Sequence, residues 1–330
     1  MVIIVDSAVP FMEGRLPGEV ELKPLPGDKI TPEAIHDADA LIVRTRTRCD
    51  RQLLEGSKVR LVATATIGTD HIDIHWCESN GVRVCNAPGC NAPGVAQYVW
   101  SALLRSGFNP KKHTLGIVGY GHVGQIVAQW GRQMGVRLLI NDPPRQASGL
   151  QDADYLPLRE VLQNSDAVTL HVPLDETTRG LISAEELSLM KPGAILVNTS
   201  RGGIVKESDL KPLLKSGSLK AIVDVWENEP DYDRELAGMA LFATPHIAGY
   251  SAEGKKRATA MSLRALSQEL GIPVNLSGLE CIPSIDGPIK PSIILDSYDP
   301  SLDSLTQTPT KNQFETLRNN YNYRHEPFFS

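Results

Sequence analysis

Arg201, Glu229 and His246 each follow an apolar run: AILVNTS (194–200), KAIVDVW (220–226) and ALFATP (240–245). If those runs are parallel strands, all three polar residues fall at carboxyl ends, where sheets of this kind bind ligands. A histidine takes up a proton near neutral pH, a nearby carboxylate raises its pKa and fixes its tautomer, and an arginine grips a carboxylate in a fork. Such a set suits hydride-transfer chemistry. Each residue also has a plainer reading, because loop arginines and glutamates are usually solvated and a lone histidine more often serves structure than catalysis.

A second group of residues is spaced for a ligand. LGIVGYGHVG (115–124) carries an apolar strand into Gly119, Gly121 and Gly124, ahead of a run with helical spacing from Val123 to Met134. In a G-x-G-x-x-G turn the first glycine makes the tight bend, the second lets backbone approach a pyrophosphate, and the third lets the helix lie on the sheet. The amides of His122 and Val123 then sit at a helix N-terminus, which favours anions. RLLIND (137–142) reads as the next parallel strand and ends in Asp142, eighteen residues after Gly124. A carboxylate there suits the ribose hydroxyls of NAD and repels the 2′-phosphate of NADP, although Arg145 nearby works against that preference.

The elements that must position these residues alternate along the chain. VIIVD (2–6), ALIVRT (40–45), RLVATAT (60–66) and VRVCN (82–86) come first. NAPGVAQYVWSALL reads as a connecting helix with Pro93 in its first turn and Val95, Val99, Ala102 and Leu103 on one apolar face. After Asp142 the strand rhythm continues through AVTLHVP (167–173) and the three runs above, with helices such as Glu207–Lys215 between them. Ala252–Leu270 has a long helical pattern that should return to the first lobe. Beyond it, residues 277–330 hold six prolines, a strand-like SIILD and a final helical stretch, QFETLRNNYNYR. The length of 330 residues fits about two domains, and there is no internal repeat.

A net charge of −6 offers no general attraction to nucleic acid or acidic membranes. The five cysteines contain no C-x-x-C pair, and their odd number argues against a full disulfide framework, so the setting reads as reducing and cytoplasmic. No apolar run is long enough for a membrane span.

The blocks GIVGYGHVG with Asp142, NTSRGGIV (198–205), DVWENEP (224–230) and TPHIAGY (244–250) resemble the signatures of the D-isomer-specific 2-hydroxyacid dehydrogenases. VRTRT (43–47), TATIGTDHID (64–73), NAPGCNAPGV (86–95) and FETLRNNYNYRHEP narrow the resemblance to a branch acting on a small phosphorylated 2-hydroxy acid. The resemblance implies an α/β fold with two Rossmann-like parallel-sheet lobes and a cleft: a flavodoxin-like substrate domain over 1–92 with return helix 252–272, and an NAD-binding domain over 93–251. A small C-terminal extension, 277–330, would serve dimerisation in a homodimer. It makes Arg201 and Glu229 active-site residues and His246 the acid/base. Thr45, Thr66 and Tyr250 match substrate-contact positions, and backbone amides around Ile67 and Gly68 would share the carboxylate. His122, Val123, Asp142, Thr199, Ser200, Arg201, Asp224 and Gly249 match NAD-contact positions. Val172 matches a cofactor-side position at which a threonine can stand.

For a substrate phosphate, Arg44, Arg46 and Arg48 recur at alternate positions and would share one side of an extended segment. Arg44 is the candidate ligand and Arg48 reads as solvated. Some other features carry less. His71 and His75, with Asp70 and Asp73, have the spacing of a helical metal site, but a turn with Asp73 as a structural cap explains them better, so no metal is expected. Cys85 and Cys90 lack a nearby base and read as free thiols. RNNYNYR combines basic and aromatic residues that can stack on nucleic acid, yet in an acidic chain a dimer contact is the better reading. Two other readings stand beside the main one: a related dehydrogenase for 3-phosphoglycerate, glycerate or lactate, and a non-catalytic NAD-sensing protein on the same fold.

Overall fold

The structure, a computed structural model, describes residues 1–281, 287–305 and 313–328. Two compact units divide the chain. One comprises Met1–Asn91 and Ser251–Pro283, the other Ala92–Tyr250 and Ser284–Phe328.

The first unit is built on a five-stranded parallel sheet: β1 (Val2–Asp6), β2 (Glu21–Leu25), β3 (Ala40–Val43), β4 (Leu61–Thr64) and β5 (Arg83–Cys85), in the order β2-β1-β3-β4-β5. This is the flavodoxin-like order. Every residue of β3 and β4 is buried, as their continuous apolar runs require of a sheet covered on both faces. Alternation then splits the strands between two cores: Ile3, Val5, Ala40 and Ile42 enter one, and Ile4, Leu41 and Val43 the other. The helix Ala252–Leu270 covers the first core with Ala258, Leu263 and Leu266, and it spans the run expected of a return helix. Ser251 caps its start by accepting the Gly254 amide, and Gly271, at φ +68°, ends it. β2 is an addition to the four strands expected. Its sequence, ELKPL, gives no apolar run because it is a half-exposed edge strand, a position that tolerates Pro24.

The second unit holds six parallel strands: β6 (Thr114–Val118), β7 (Arg137–Asn141), β8 (Ala167–Leu170), β9 (Ile195–Asn198), β10 (Lys220–Val223) and the short β11 (Phe242–Ala243). Their order is β11-β10-β9-β8-β6-β7. The chain therefore leaves β6 for β7 on one side and reaches β8 on the other, so the order reverses at β6, where the glycine turn begins. The helix Ala92–Arg105 is buried throughout Ala92–Leu103 and not only on the one apolar face expected of it.

The C-terminal stretch departs from its sequence reading. SIILD lies inside a helix, Pro291–Ser297, started by Pro291; a short apolar run does not distinguish strand from helix, and the proline favours the latter. The final helix spans only Gln313–Asn319, after which the chain opens. Nor is 277–330 a separate piece in its contacts: up to Pro283 it clusters with the first unit, and Ser284–Phe328 with the second. Ser101 donates to the Tyr298 carbonyl at 2.6 Å, and the rings of Trp130 and Phe328 meet edge-on at 4.9 Å. Parts of this stretch, 282–286, 306–312 and 329–330, lie outside the described residues.

Candidate active site and nucleotide turn

The glycine turn has the shape its spacing requires. Gly119 leaves β6 at φ +92°, and a Cβ there would stand 2.6 Å from the His171 carbonyl and 2.9 Å from Val172 Cγ1. A Cβ at Gly124 would come within 2.1 Å of the Gly119 oxygen. A Cβ at Gly121, by contrast, would meet nothing within 4 Å, so this glycine leaves an open approach to the backbone. Gly121 is also the N-cap of the helix His122–Met134, and no side chain caps that end. Uncapped amides and an open approach are what a pyrophosphate needs.

Asp142 stands just beyond β7. Its two oxygens accept the amides of Tyr120, at 2.6 Å, and Arg145, at 3.0 Å, which fixes the carboxylate against the turn. Arg145 is occupied elsewhere, donating to Asp152 and, at 3.4 Å, to the Tyr155 hydroxyl. After β9, the Thr199 hydroxyl oxygen is buried without a protein partner among the described residues, an orphan that suits a ligand-contact position. Ser200 is committed within the protein: its hydroxyl donates to the Leu170 carbonyl and its amide to Asn198 Oδ1.

Three loops of this unit carry Arg201, Glu229 and His246, the residues expected to do chemistry. His246 Nδ1 lies 2.8 Å from Glu229 Oε2, while Glu229 Oε1 accepts the Trp226 amide at 3.0 Å. Burial opposes ionisation of Glu229, but its hydrogen bond to His246, the imidazole charge, the Trp226 amide and the positive charge of Arg318 outweigh it and hold the carboxyl below its usual range. An ionised Glu229 places the imidazole proton on Nδ1 and leaves Nε2 as the nitrogen with a free lone pair. His246 has φ +57°, a left-handed backbone uncommon outside glycine, so contacts of the surrounding loop must hold it.

Asp224 supplies that enforcement. Buried at the end of β10, it accepts the Thr244 hydroxyl at 2.6 Å and the Ile247 amide at 2.8 Å on one oxygen, and the Ala248 amide at 2.9 Å on the other. Thr244 spends its proton on Asp224, so Tyr98, 2.6 Å away, donates to Thr244. Burial pushes the Asp224 carboxyl up, against these donors and the charge of His246. The Arg201 loop is brought beside the Glu229 loop by Gly202, where a Cβ would fall 1.7 Å from the Trp226 oxygen. The double glycine of NTSRGGIV was a signal for this close approach that sequence reasoning passed over. Arg201 itself donates to the Ser200 carbonyl at 2.8 Å.

The C-terminal stretch also reaches the loop that follows His246. Arg318 Nε donates to the Tyr250 hydroxyl at 3.0 Å, and the rings of Tyr321 and Tyr323 stand 6.0 and 6.1 Å from that of Tyr250. Arg324 is buried and donates to the carbonyls of Ile247 (3.1 Å), Ala248 and Tyr250 (3.0 Å), as well as to Gly94, Gln97 and Tyr321. The basic and aromatic residues read as a dimer contact thus turn inward on their own unit. Gly249 lies within the segment they hold.

In the first unit, Thr45 and Arg44 do not lie on an extended strand. β3 ends at Val43 and the chain turns, with the Thr47 amide donating to the Arg44 carbonyl at 3.2 Å. The premise that Arg44, Arg46 and Arg48 share one side therefore fails. Arg44 donates to the Ala8 carbonyl at 3.1 Å, and Arg48 is bonded to Asp50 on the surface. Thr66 donates to the Gly68 carbonyl at 3.0 Å and shares a 2.7 Å bond with Thr64, which also meets His71 Nε2 at 3.2 Å. His71 precedes the helix Ile74–Ser79, so it has no helical pairing with His75; Asp73 caps that helix by accepting the Trp76 amide at 3.0 Å.

Residues 94–248 match the model of the D-isomer specific 2-hydroxyacid dehydrogenase NAD binding domain. Over 339 aligned residues the chain is 41% identical to an erythronate-4-phosphate dehydrogenase of Bacteroides fragilis, covering 99% of this chain and 97% of that protein. The chain belongs to the D-isomer specific 2-hydroxyacid dehydrogenase family. A relative of the same name from Ectopseudomonas mendocina is 38% identical, with 99% of this chain and 93% of that one covered. Among solved structures, NAD+-bound 3-phosphoglycerate dehydrogenase of Entamoeba histolytica is similar with a TM-score of 0.64 and 27% identity, over 81% of this chain and 93% of that one. As a member of this dehydrogenase family the chain is an NAD-dependent enzyme. The open Gly121, the uncapped helix, the fixed Asp142 carboxylate and the orphan Thr199 hydroxyl fit that cofactor.

Proposed function

We propose that the protein oxidises 4-phospho-D-erythronate to 2-oxo-3-hydroxy-4-phosphobutanoate with NAD, a step of pyridoxal 5′-phosphate biosynthesis. The observation that carries this reading is the Glu229–His246 pair at 2.8 Å, in a chain 41% identical over almost its whole length to an erythronate-4-phosphate dehydrogenase. Bound NAD supplies the hydride acceptor for C2. His246 Nε2 takes the proton of the C2 hydroxyl, and Glu229 stabilises the imidazolium that forms. Arg201 holds the substrate carboxylate and stabilises charge developing on the C2 oxygen, a contribution typically worth a few kcal/mol. Thr45, Thr66 and Tyr250 contact the substrate, and Arg44 serves its phosphate.

For the cofactor we assign Gly119, Gly121 and Gly124 with the amides of His122 and Val123 to the pyrophosphate, and Asp142 to the ribose. Val172, Thr199, Ser200, Arg201, Asp224 and Gly249 line the remainder. Val172 has no side-chain hydrogen bond to give, so its share is packing and backbone. The engagement of Arg145 with Asp152 supports a preference for NAD over NADP.

The expected assembly is a homodimer, and the free cysteines support a cytoplasmic setting. Among the described residues no helix is long and apolar enough to cross a membrane.

The decisive assay offers 4-phosphoerythronate, 3-phosphoglycerate and D-lactate to the purified full chain, with NAD and an added 2-oxoacid as alternative acceptors. Preferential turnover of 4-phosphoerythronate is expected. Preference for D-lactate overturns the phosphate assignment, and absence of any turnover overturns the substrate reading. Light scattering of the same sample should give twice the chain mass.

A further inference from the structure

Arg318 lies 68 residues beyond Tyr250, in the helix Gln313–Asn319. Its Nε donates to the Tyr250 hydroxyl at 3.0 Å and its Cζ stands 5.9 Å from that ring's centroid. The side chain is 21% exposed, and its ion partner among the described residues, Glu315 Oε1, is 3.9 Å away, too far for a good hydrogen bond. Its positive charge also acts on Glu229. A largely buried guanidinium with no closer ion partner among the described residues is a costly way to fill space, since an apolar side chain of similar volume would pack there without that desolvation penalty. Its position is explained if the charge and the fork have work in the site.

Two consequences follow from its chemistry. Guanidinium has donors and no acceptor, so its bond makes the Tyr250 oxygen the acceptor and directs the phenolic O–H away from Arg318. Glu229, which must stay ionised to support His246, repels an anionic substrate, and a fixed cation beside it offsets that repulsion. Arg324 and the rings of Tyr321 and Tyr323 secure the same loop, so that three contacts from one stretch of chain converge on Tyr250 and the carbonyls just after His246.

We propose that Arg318 is a positioning residue for anionic substrate, acting by orienting the Tyr250 hydroxyl and by balancing the charge of Glu229, and that the C-terminal stretch is therefore part of the active site. The inference rests on the roles given above to Glu229, His246 and Tyr250.

The test uses R318M, R318K, Y250F and the double variant R318M/Y250F in the full chain. Each is assayed on whichever 2-hydroxy acid the wild type turns over best, so that a wrong substrate name does not decide it. R318M should raise KM about ten-fold, the scale of one charge-assisted hydrogen bond, with kcat changed far less and NAD affinity kept. R318K should recover part of the KM, because it restores charge without the planar fork. The double variant should be little worse than the poorer single one. A wild-type KM in R318M overturns the proposal, as does a KM rise that adds independently to that of Y250F. If R318M loses NAD binding or melts early, R318K decides: a KM equal to wild type refutes the role, and a raised KM with wild-type NAD affinity supports it.

Discussion

Glu229 joins His246 to the backbone of its own loop: one carboxylate oxygen is 2.8 Å from His246 Nδ1 and the other accepts the Trp226 amide at 3.0 Å. Asp224 does the complementary work from the other side by taking the amides of Ile247 and Ala248. The imidazole is thus held by Glu229, six residues after β10 ends at Val223, and its left-handed backbone by Asp224, the residue just after that strand. One carboxylate meets the imidazole ring and the other the backbone that carries it.

That division predicts different failures. His246→Ala removes the proposed proton acceptor and should lower kcat by about 10²-fold or more, the usual scale of acid–base catalysis, while NAD titration gives the wild-type Kd. Glu229→Gln should also lower kcat with NAD affinity intact. Unchanged turnover in His246→Ala would remove it from the reaction.

The glycine turn separates folding from binding. Gly121→Ala adds a methyl where nothing lies within 4 Å, so the melting temperature should hold while NAD affinity falls, because the methyl occupies the approach to the backbone. Gly124→Ala places a methyl 2.1 Å from the Gly119 oxygen and should lower both. Calorimetry and NAD titration on the two variants check this; equal NAD affinity in Gly121→Ala and wild type would move the pyrophosphate elsewhere.

Much of this arrangement was legible in the sequence because it is local. Apolar runs marked β1, β3 to β5 and β6 to β11; for the central strands β3, β4, β6, β8 and β9, burial on both faces leaves no polar alternation. Arg201, Glu229 and His246 stood out because each closes such a run. What escaped had no local signature. β2 is polar because it is an edge, and Arg44 turned away from its expected row because a turn interrupts the strand after Val43. Arg318 and Arg324 were visible as a basic, aromatic cluster, but most of their partners lie 68 to 230 residues away in sequence, and composition does not reveal which surface such a cluster meets.

Asp224→Ala should act on stability before chemistry. It leaves the Ile247 and Ala248 amides and the Thr244 hydroxyl without their acceptor in a buried site, a loss of about 3–5 kcal/mol by analogy with other broken buried charge networks. Urea unfolding measures it. Asp224→Asn keeps one acceptor oxygen and should recover part of the loss; a variant as stable as wild type would show that the loop holds its left-handed turn by other means.

His171 predicts a pH dependence with a definite sign. It follows β8 beside the glycine turn, its amide donates to the Val118 carbonyl at 2.7 Å, and its Nε2 meets Thr169 Oγ1 at 3.0 Å. Burial pushes its pKa down to about 3, against an ordinary value near 6.5. Between those values the unfolded chain binds a proton that the folded chain refuses, so protonation favours unfolding. Its contribution is complete above about pH 6.5 and is lost as the pH falls toward 3, with a slope of about one proton. His171→Gln removes the titrating ring, and the difference in unfolding free energy between variant and wild type should change by that slope across pH 4 to 6, where all other groups cancel. Parallel curves for the two proteins would mean that His171 titrates alike in the folded and unfolded chain.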